Sequence, residues 1–131
     1  MIVLDTSAVV AIVREEPERD RFRERIQAAG QVFVSAGTCI ELAAVAGRSE
    51  TLAQDVATFL GQSFVRVEPV TAPQAALASR AFQRWGKGHH PAALNLGDMF
   101  AYLLARERDL PLLFKGNDFA RTDVRNALDD E

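Results

Sequence analysis

The stretch Met1-Ile2-Val3-Leu4-Asp5-Thr6-Ser7-Ala8 decides how the rest of the chain is read. Ile2 to Leu4 form a short apolar run that suits a buried strand. Asp5, Thr6 and Ser7 are residue types that cap a helix, and Ala8 to Val13 continue as one. A strand that feeds directly into a helix is the opening of a unit built on parallel strands.

The same alternation repeats downstream. Glu16-Pro17-Glu18 restarts the chain, and the pair Phe22 and Ile26 marks a mostly solvated helix that Gly30 ends. Val32-Phe33-Val34 reads as a second strand, and Ser35 caps an apolar helix running to about Gly47. Thr51 to Leu60 is a further helix, Phe64-Val65-Arg66-Val67 alternates like a strand, and Thr71-Ala72-Pro73 opens a long Ala-rich helix. Gly86-Lys87-Gly88 ends that helix in a flexible connection. Asn95 caps a helix from Leu96 to about Arg108, Pro111 to Phe114 is a buried strand, and Gly116-Asn117 a turn. Right-handed crossovers then give a three-layer α/β/α sandwich with a central, mainly parallel sheet, whose ligands bind beyond the carboxyl ends of the strands.

A chain of 131 residues, 48% hydrophobic and 25% charged, with a mean hydropathy of −0.03, describes one domain spanning 1–131. A short acidic tail is expected at about 126–131. The 15 basic and 18 acidic residues leave a net charge of −3, which Asp129, Asp130 and Glu131 account for entirely. The neutral body lacks the global basic footprint of many nucleic-acid binders, so nucleic acid would need a local patch or a bound cation. Cys39 is alone, which excludes an internal disulfide, and no run of ~20 apolar residues exists to span a membrane. With no signal-peptide pattern after Met1, a cytoplasmic location is expected.

Four acids stand out by position. Asp5 follows the first strand, where it either caps the next helix or lies on the ligand edge. Asp98, three residues after Asn95, either completes a capping box or joins the same edge. Asp118 stands just past another strand end, in a place that also suits a turn or cap. Glu41 is the only charge between Ser35 and Gly47, so it occupies either a narrow solvent stripe or a polar pocket. If these four meet, like charges repel and raise one another's pKa unless a cation neutralises them. Carboxylate oxygens without a nearby Cys or paired His suit a hard cation such as Mg²⁺, and a site of that kind fits phosphodiester hydrolysis.

Met1 to Ala8, Ser35-Ala36-Gly37-Thr38-Cys39-Ile40-Glu41 and the run His90 to Asp98 together resemble the PIN-domain ribonucleases, specifically the VapC-type toxins. So does Leu112-Leu113-Phe114-Lys115-Gly116-Asn117-Asp118-Phe119, with Ala120-Arg121-Thr122-Asp123 behind it. The resemblance covers nearly the whole chain in order. It implies a Mg²⁺- or Mn²⁺-dependent endoribonuclease acting on RNA, held inactive by a cognate VapB-like antitoxin and usually a homodimer. It carries the acidic quartet onto Asp5, Glu41, Asp98 and Asp118 as catalytic and metal-binding residues. Asp123 matches a recurring acid of the group, either a supporting or alternative metal residue or a plain loop acid. Met99 stands where many relatives have Cys, at a position expected to face the core.

Weaker signals accompany these. Thr6 or Ser7 either binds a ligand or caps the first helix. Arg84, Lys87, His89 and His90 surround a Gly-flanked loop that either forms a local positive patch for RNA phosphates or is merely solvated. Lys115, Arg121 and Arg48 are further phosphate contacts to weigh. Phe82 and Trp85 are partner contacts or core, and Cys39 reads as a small buried hydrophobe. The rival to a nuclease is a non-catalytic α/β binding module that senses metal or phosphate. A phosphatase with an aspartyl nucleophile ranks lower, since the position two residues after Asp5 is Ser7 rather than a second acid.

Overall fold

The computed structural model describes residues 1–129. Strand β1 (Ile2–Leu4) is followed by α1 (Thr6–Val13), α2 (Arg19–Ala29), β2 (Val32–Ser35), α3 (Ala36–Ala46), α4 (Glu50–Leu60), β3 (Val65–Glu68), α5 (Ala72–Trp85), α6 (Leu96–Arg108), β4 (Leu112–Leu113) and a 3-10 turn (Phe119–Arg121). The sheet order is β3-β2-β1-β4 and all three pairings are parallel. Ile2 pairs with Val32 and Val3 with Phe33 on one side of β1, while Val3 pairs with Leu112 and Leu4 with Leu113 on the other.

Side-chain alternation along the strands splits the core in two. Ile2, Leu4, Val32, Val34 and Leu113 face a layer formed by α1, α2 and α4 with Leu42 and Ala46 of α3. Val3, Phe33 and Leu112 face α5 and α6, where Trp85, Met99, Leu103 and Leu104 are buried. Met99 faces the core as expected. Each large apolar side chain removed fully from water contributes about 1.5–3 kcal/mol, so the doubly covered β1 is the centre of the fold's stability.

Most helix starts are set by the side chain before them. Asp5, Ser35, Ser49, Thr71 and Asn95 each accept a bond from a backbone amide of their helix. Asn95 and Asp98 form a reciprocal capping box with both bonds at 3.0 Å.

Three expectations change. The connection after α5, read as flexible, is tied down: Gly86 bridges Leu94, the Ala92 amide donates to His90 Nδ1 at 2.9 Å, and the His90 ring stands edge-on to Trp85. Cys39 is only half-buried, because α3 turns Gly37, Thr38, Leu42 and Ala46 inward instead. Beside Cys39, two further apolar residues of α3 look outward, Ile40 at 72% exposed and Val45 at 44%. The segment expected as a tail from residue 126 is anchored at its start. Arg25 Nε donates to the Ala127 carbonyl at 2.6 Å, the Ala127 amide donates to the Leu112 carbonyl, and Ala127 is fully buried. Asp130 and Glu131 lie outside the described residues. No described helix is long and apolar enough to cross a membrane.

Candidate active site

β1 delivers Asp5 to the carboxyl edge of the sheet, where its amide donates to the Leu113 carbonyl at 3.0 Å and so fixes its backbone to β4. The Asp5 side chain is 3% exposed, and its two oxygens live differently. Oδ2 accepts from the Ser7 amide at 3.0 Å and the Ser7 hydroxyl at 2.7 Å. Oδ1 is buried and has no hydrogen-bond partner among the described residues. The Ser7 hydroxyl is itself held by the Lys115 amide at 3.0 Å, which links the residues after β1 to those after β4. Helix capping therefore falls to Asp5, and Ser7 serves Asp5.

Glu41 projects from α3 toward the start of α6. Thr6 donates its hydroxyl to Glu41 Oε1, and a side chain at Gly97 would overlap Glu41 Oε2. The absence of a side chain at Gly97 is what leaves room for this carboxylate. Glu41 thus occupies a half-buried polar pocket rather than a solvent stripe. Asp98 lies one residue beyond Gly97, partly buried, with Oδ2 engaged by the Asn95 amide.

Electrostatics binds these groups into one cluster. Burial pushes the Asp5 carboxyl up to about 6; the Ser7 bonds pull the other way, and the charges of Asp98 and Glu41 add to the rise. Burial also raises Asp98, against the Asn95 amide, with further lift from Asp118 and Glu41. Asp118 is the outlying member: it is exposed, heads the 3-10 turn without a side-chain cap bond, and its charge is felt at Asp98. Among the described residues no three side chains of His, Cys, Asp or Glu are already gathered at metal-enclosing distance. What joins the acids is charge: Asp98 and Glu41 act on Asp5, and Asp118 and Glu41 act on Asp98.

Other sequence candidates are placed elsewhere. Asp123 turns away from the cluster: Tyr102 donates to its Oδ1 at 2.6 Å, and Arg84 and Arg106 approach Oδ2 at 3.6 and 3.7 Å. The Lys115 ammonium pairs with Glu16 and Glu18 at 3.0 and 3.3 Å. Arg121 donates to the Pro91 carbonyl at 3.0 Å, Arg48 is exposed past the end of α3, and His89 is exposed in the loop. Trp85 is core, its indole N–H donating to the Tyr102 hydroxyl, and Phe82 is partly buried beside it. Gly97 was missed as a site residue; its only trace in the sequence is a glycine spent inside a helix immediately before an acid.

Comparison with known proteins identifies the family and the fold. A PIN-domain family model matches residues 2–125. Ribonuclease VapC42 of Mycobacterium tuberculosis is 39% identical over 129 residues, covering 96% of this chain and 98% of that protein. Two crystal structures share the fold at lower identity. The Mycobacterium tuberculosis VapC20, a Sarcin-Ricin loop cleaving toxin, superposes with a TM-score of 0.73 at 20% identity over 95% of this chain and 96% of that one. VapBC2 of Rickettsia felis, bound to a DNA fragment from its promoter, gives a TM-score of 0.77 at 15% identity over 96% of each chain.

Proposed function

This chain belongs to the PIN-domain family of VapC ribonuclease toxins, and from that premise we propose that Asp5, Glu41, Asp98 and Asp118 hold a divalent cation, Mg²⁺ or Mn²⁺, at the carboxyl edge of the sheet. The observation that carries this reading is Asp5 Oδ1, a buried carboxylate oxygen with no hydrogen-bond partner among the described residues, beside further acids whose charges raise its pKa. An oxygen in that setting accepts a proton or a cation. The donor set consists only of carboxylates, which fits a hard ion that keeps several waters and admits phosphate oxygens.

When bound, the ion would polarise the scissile phosphate and lower the pKa of a water. The chain's own residues set the geometry. Ser7 fixes the rotamer of Asp5, Thr6 and the bare Cα of Gly97 aim Glu41, and the Asn95 box orients Asp98. Asp98 or Asp118, the more open acids, would position or deprotonate the attacking water. The substrate is RNA, the protein works as a homodimer, and a VapB-like antitoxin holds it in check.

The test is purified protein with a panel of RNAs in Mg²⁺, in Mn²⁺ and in chelator. Cleavage is expected with either metal and none in chelator. Cleavage undiminished by chelator would remove the metal from the proposal, and a stable aspartyl phosphate formed from a small phosphodonor would favour a sensing module.

A further inference from the structure

A second polar site lies on the α5–α6 face, reaching about two helical turns along α6 from Asp98. It is a hollow of about 210 Å³ whose polar lining comprises Arg80, Arg84, Arg106, Tyr102 and Asp123, with Trp85 at its wall. Three guanidinium groups face a single carboxylate, so the hollow holds an excess of two positive charges. On a chain whose body is neutral overall, this is the local patch that nucleic-acid binding requires.

The arginines are held in place but not saturated. Arg84 stacks on Trp85, its guanidinium 4.5 Å from the ring centroid. Arg84 and Arg106 both reach Asp123 Oδ2, at distances longer than a hydrogen bond. Arg80 is exposed and has no ion-pair partner among the described residues. Each guanidinium offers five N–H donors in a planar fork, and none of the three donates a hydrogen bond among the described residues. Asp123 is pinned by the Tyr102 hydroxyl, which in turn accepts from the Trp85 indole. The carboxylate thus spaces the two guanidinium groups apart without neutralising them.

Helix α6 connects this hollow to the acids. Asp98, Tyr102 and Arg106 follow at four-residue steps, which keeps them on one broad face and sets Arg106 about 12 Å along the axis from Asp98. The segment after β4 runs beside the same helix, with the Asp118 charge felt at Asp98 and Asp123 bonded to Tyr102. A single RNA strand lying along this face would reach both places within a few nucleotides.

We propose that the Arg80, Arg84 and Arg106 hollow is a backbone-phosphate subsite for the RNA strand flanking the scissile position. It rests on the ribonuclease reading above. The subsite grips phosphate and contributes no base recognition from these residues, so it supplies affinity and register rather than sequence choice.

The test is fluorescence anisotropy of a labelled single-stranded RNA oligonucleotide in chelator, titrated with the full chain at about 50 to 200 mM salt. The double variant Arg84→Ala with Arg106→Ala is expected to bind about tenfold more weakly. Its plot of log affinity against log salt should be shallower by about 1.4, the share of two phosphate contacts on a single strand. In metal-supported cleavage it should raise KM rather than lower kcat. Asp123→Asn keeps an acceptor for Tyr102 while removing a negative charge, so it should tighten RNA binding; a merely structural role for Asp123 predicts weaker binding or none of this gain. Variants that melt like the parent yet keep its affinity and salt slope would overturn the subsite while leaving the ribonuclease reading intact. A parent chain that neither binds nor cleaves RNA in any metal would overturn both.

Discussion

Thr6 donates its hydroxyl to Glu41 Oε1, joining the first residue of α1 to the middle of α3 across 35 positions of sequence. A hydrogen bond to a charged group contributes about 1.5–3 kcal/mol, enough to select one rotamer of a long side chain. Thr6→Val preserves the branched shape and removes the donor, and is expected to lower the cleavage rate about tenfold with little change in melting temperature. Thr6→Ser restores the hydroxyl and should recover most of the rate. Equal rates in the Val and Ser variants would show that the bond does not direct Glu41.

Gly97 offers a sharper test of the same carboxylate. A methyl group there overlaps Glu41 Oε2, and the flexible acid is the part that moves. Ala is the better helix former by about 1 kcal/mol, so Gly97→Ala should leave the protein at least as stable. Activity is nevertheless expected to fall about a hundredfold, approaching that of Glu41→Gln. Thermal melts beside cleavage rates separate the two effects, and a fully active Gly97→Ala would mean that Glu41 has room to spare.

Asp5 gives the pH dependence. Its folded pKa of about 6 stands above the ordinary 3.8, so the folded chain holds the extra proton between those values. The metal-free protein is therefore predicted to lose about 3 kcal/mol from this group as pH rises from about 4 to about 6. A divalent ion competes with the same proton. The rise in melting temperature on adding Mg²⁺ should be large at about pH 7.5 and small at about pH 5, and differential scanning calorimetry reads it directly. A rise independent of pH would exclude Asp5 from the cation's ligands.

Asn95 and Asp98 share a capping box, so one substitution should touch both fold and site. Asn95→Ala is expected to cost about 1 kcal/mol of stability by removing the cap. Asn95→Ser should keep most of it. Because the Asn95 backbone amide still engages Asp98, the cleavage rate of Asn95→Ala should drop less than that of Asp98→Asn. Parallel melts and rates on the three variants test this order.

The helix starts were legible because capping is local chemistry: a Ser, Asn, Thr or Asp placed before an apolar run needs only its own amides. The strands were legible because each is a short apolar or alternating run. Glu41 was legible as an anomaly, but its surroundings were not. Its pocket is made by a missing side chain at Gly97 and a hydroxyl at Thr6, both distant in sequence, and no periodicity encodes them. The outward turn of Ile40 and Val45 was hidden for the same reason, since an apolar residue does not state which neighbour it faces. For Asp5 the cap reading holds and leaves the other reading possible. A carboxylate has two oxygens: one caps, while the other is buried without a hydrogen-bond partner among the described residues.

The strand order puts β1, made before the other three strands, between β2 and β4, so it waits for the last of the strands before its second hydrogen-bonding edge is closed. A nascent chain emerging from the ribosome would carry Asp5 and Glu41 long before Asp98 and Asp118 exist to join them. If cleavage needs all four acids, as proposed, the topology alone keeps the toxin harmless to the cell until most of the domain has been translated.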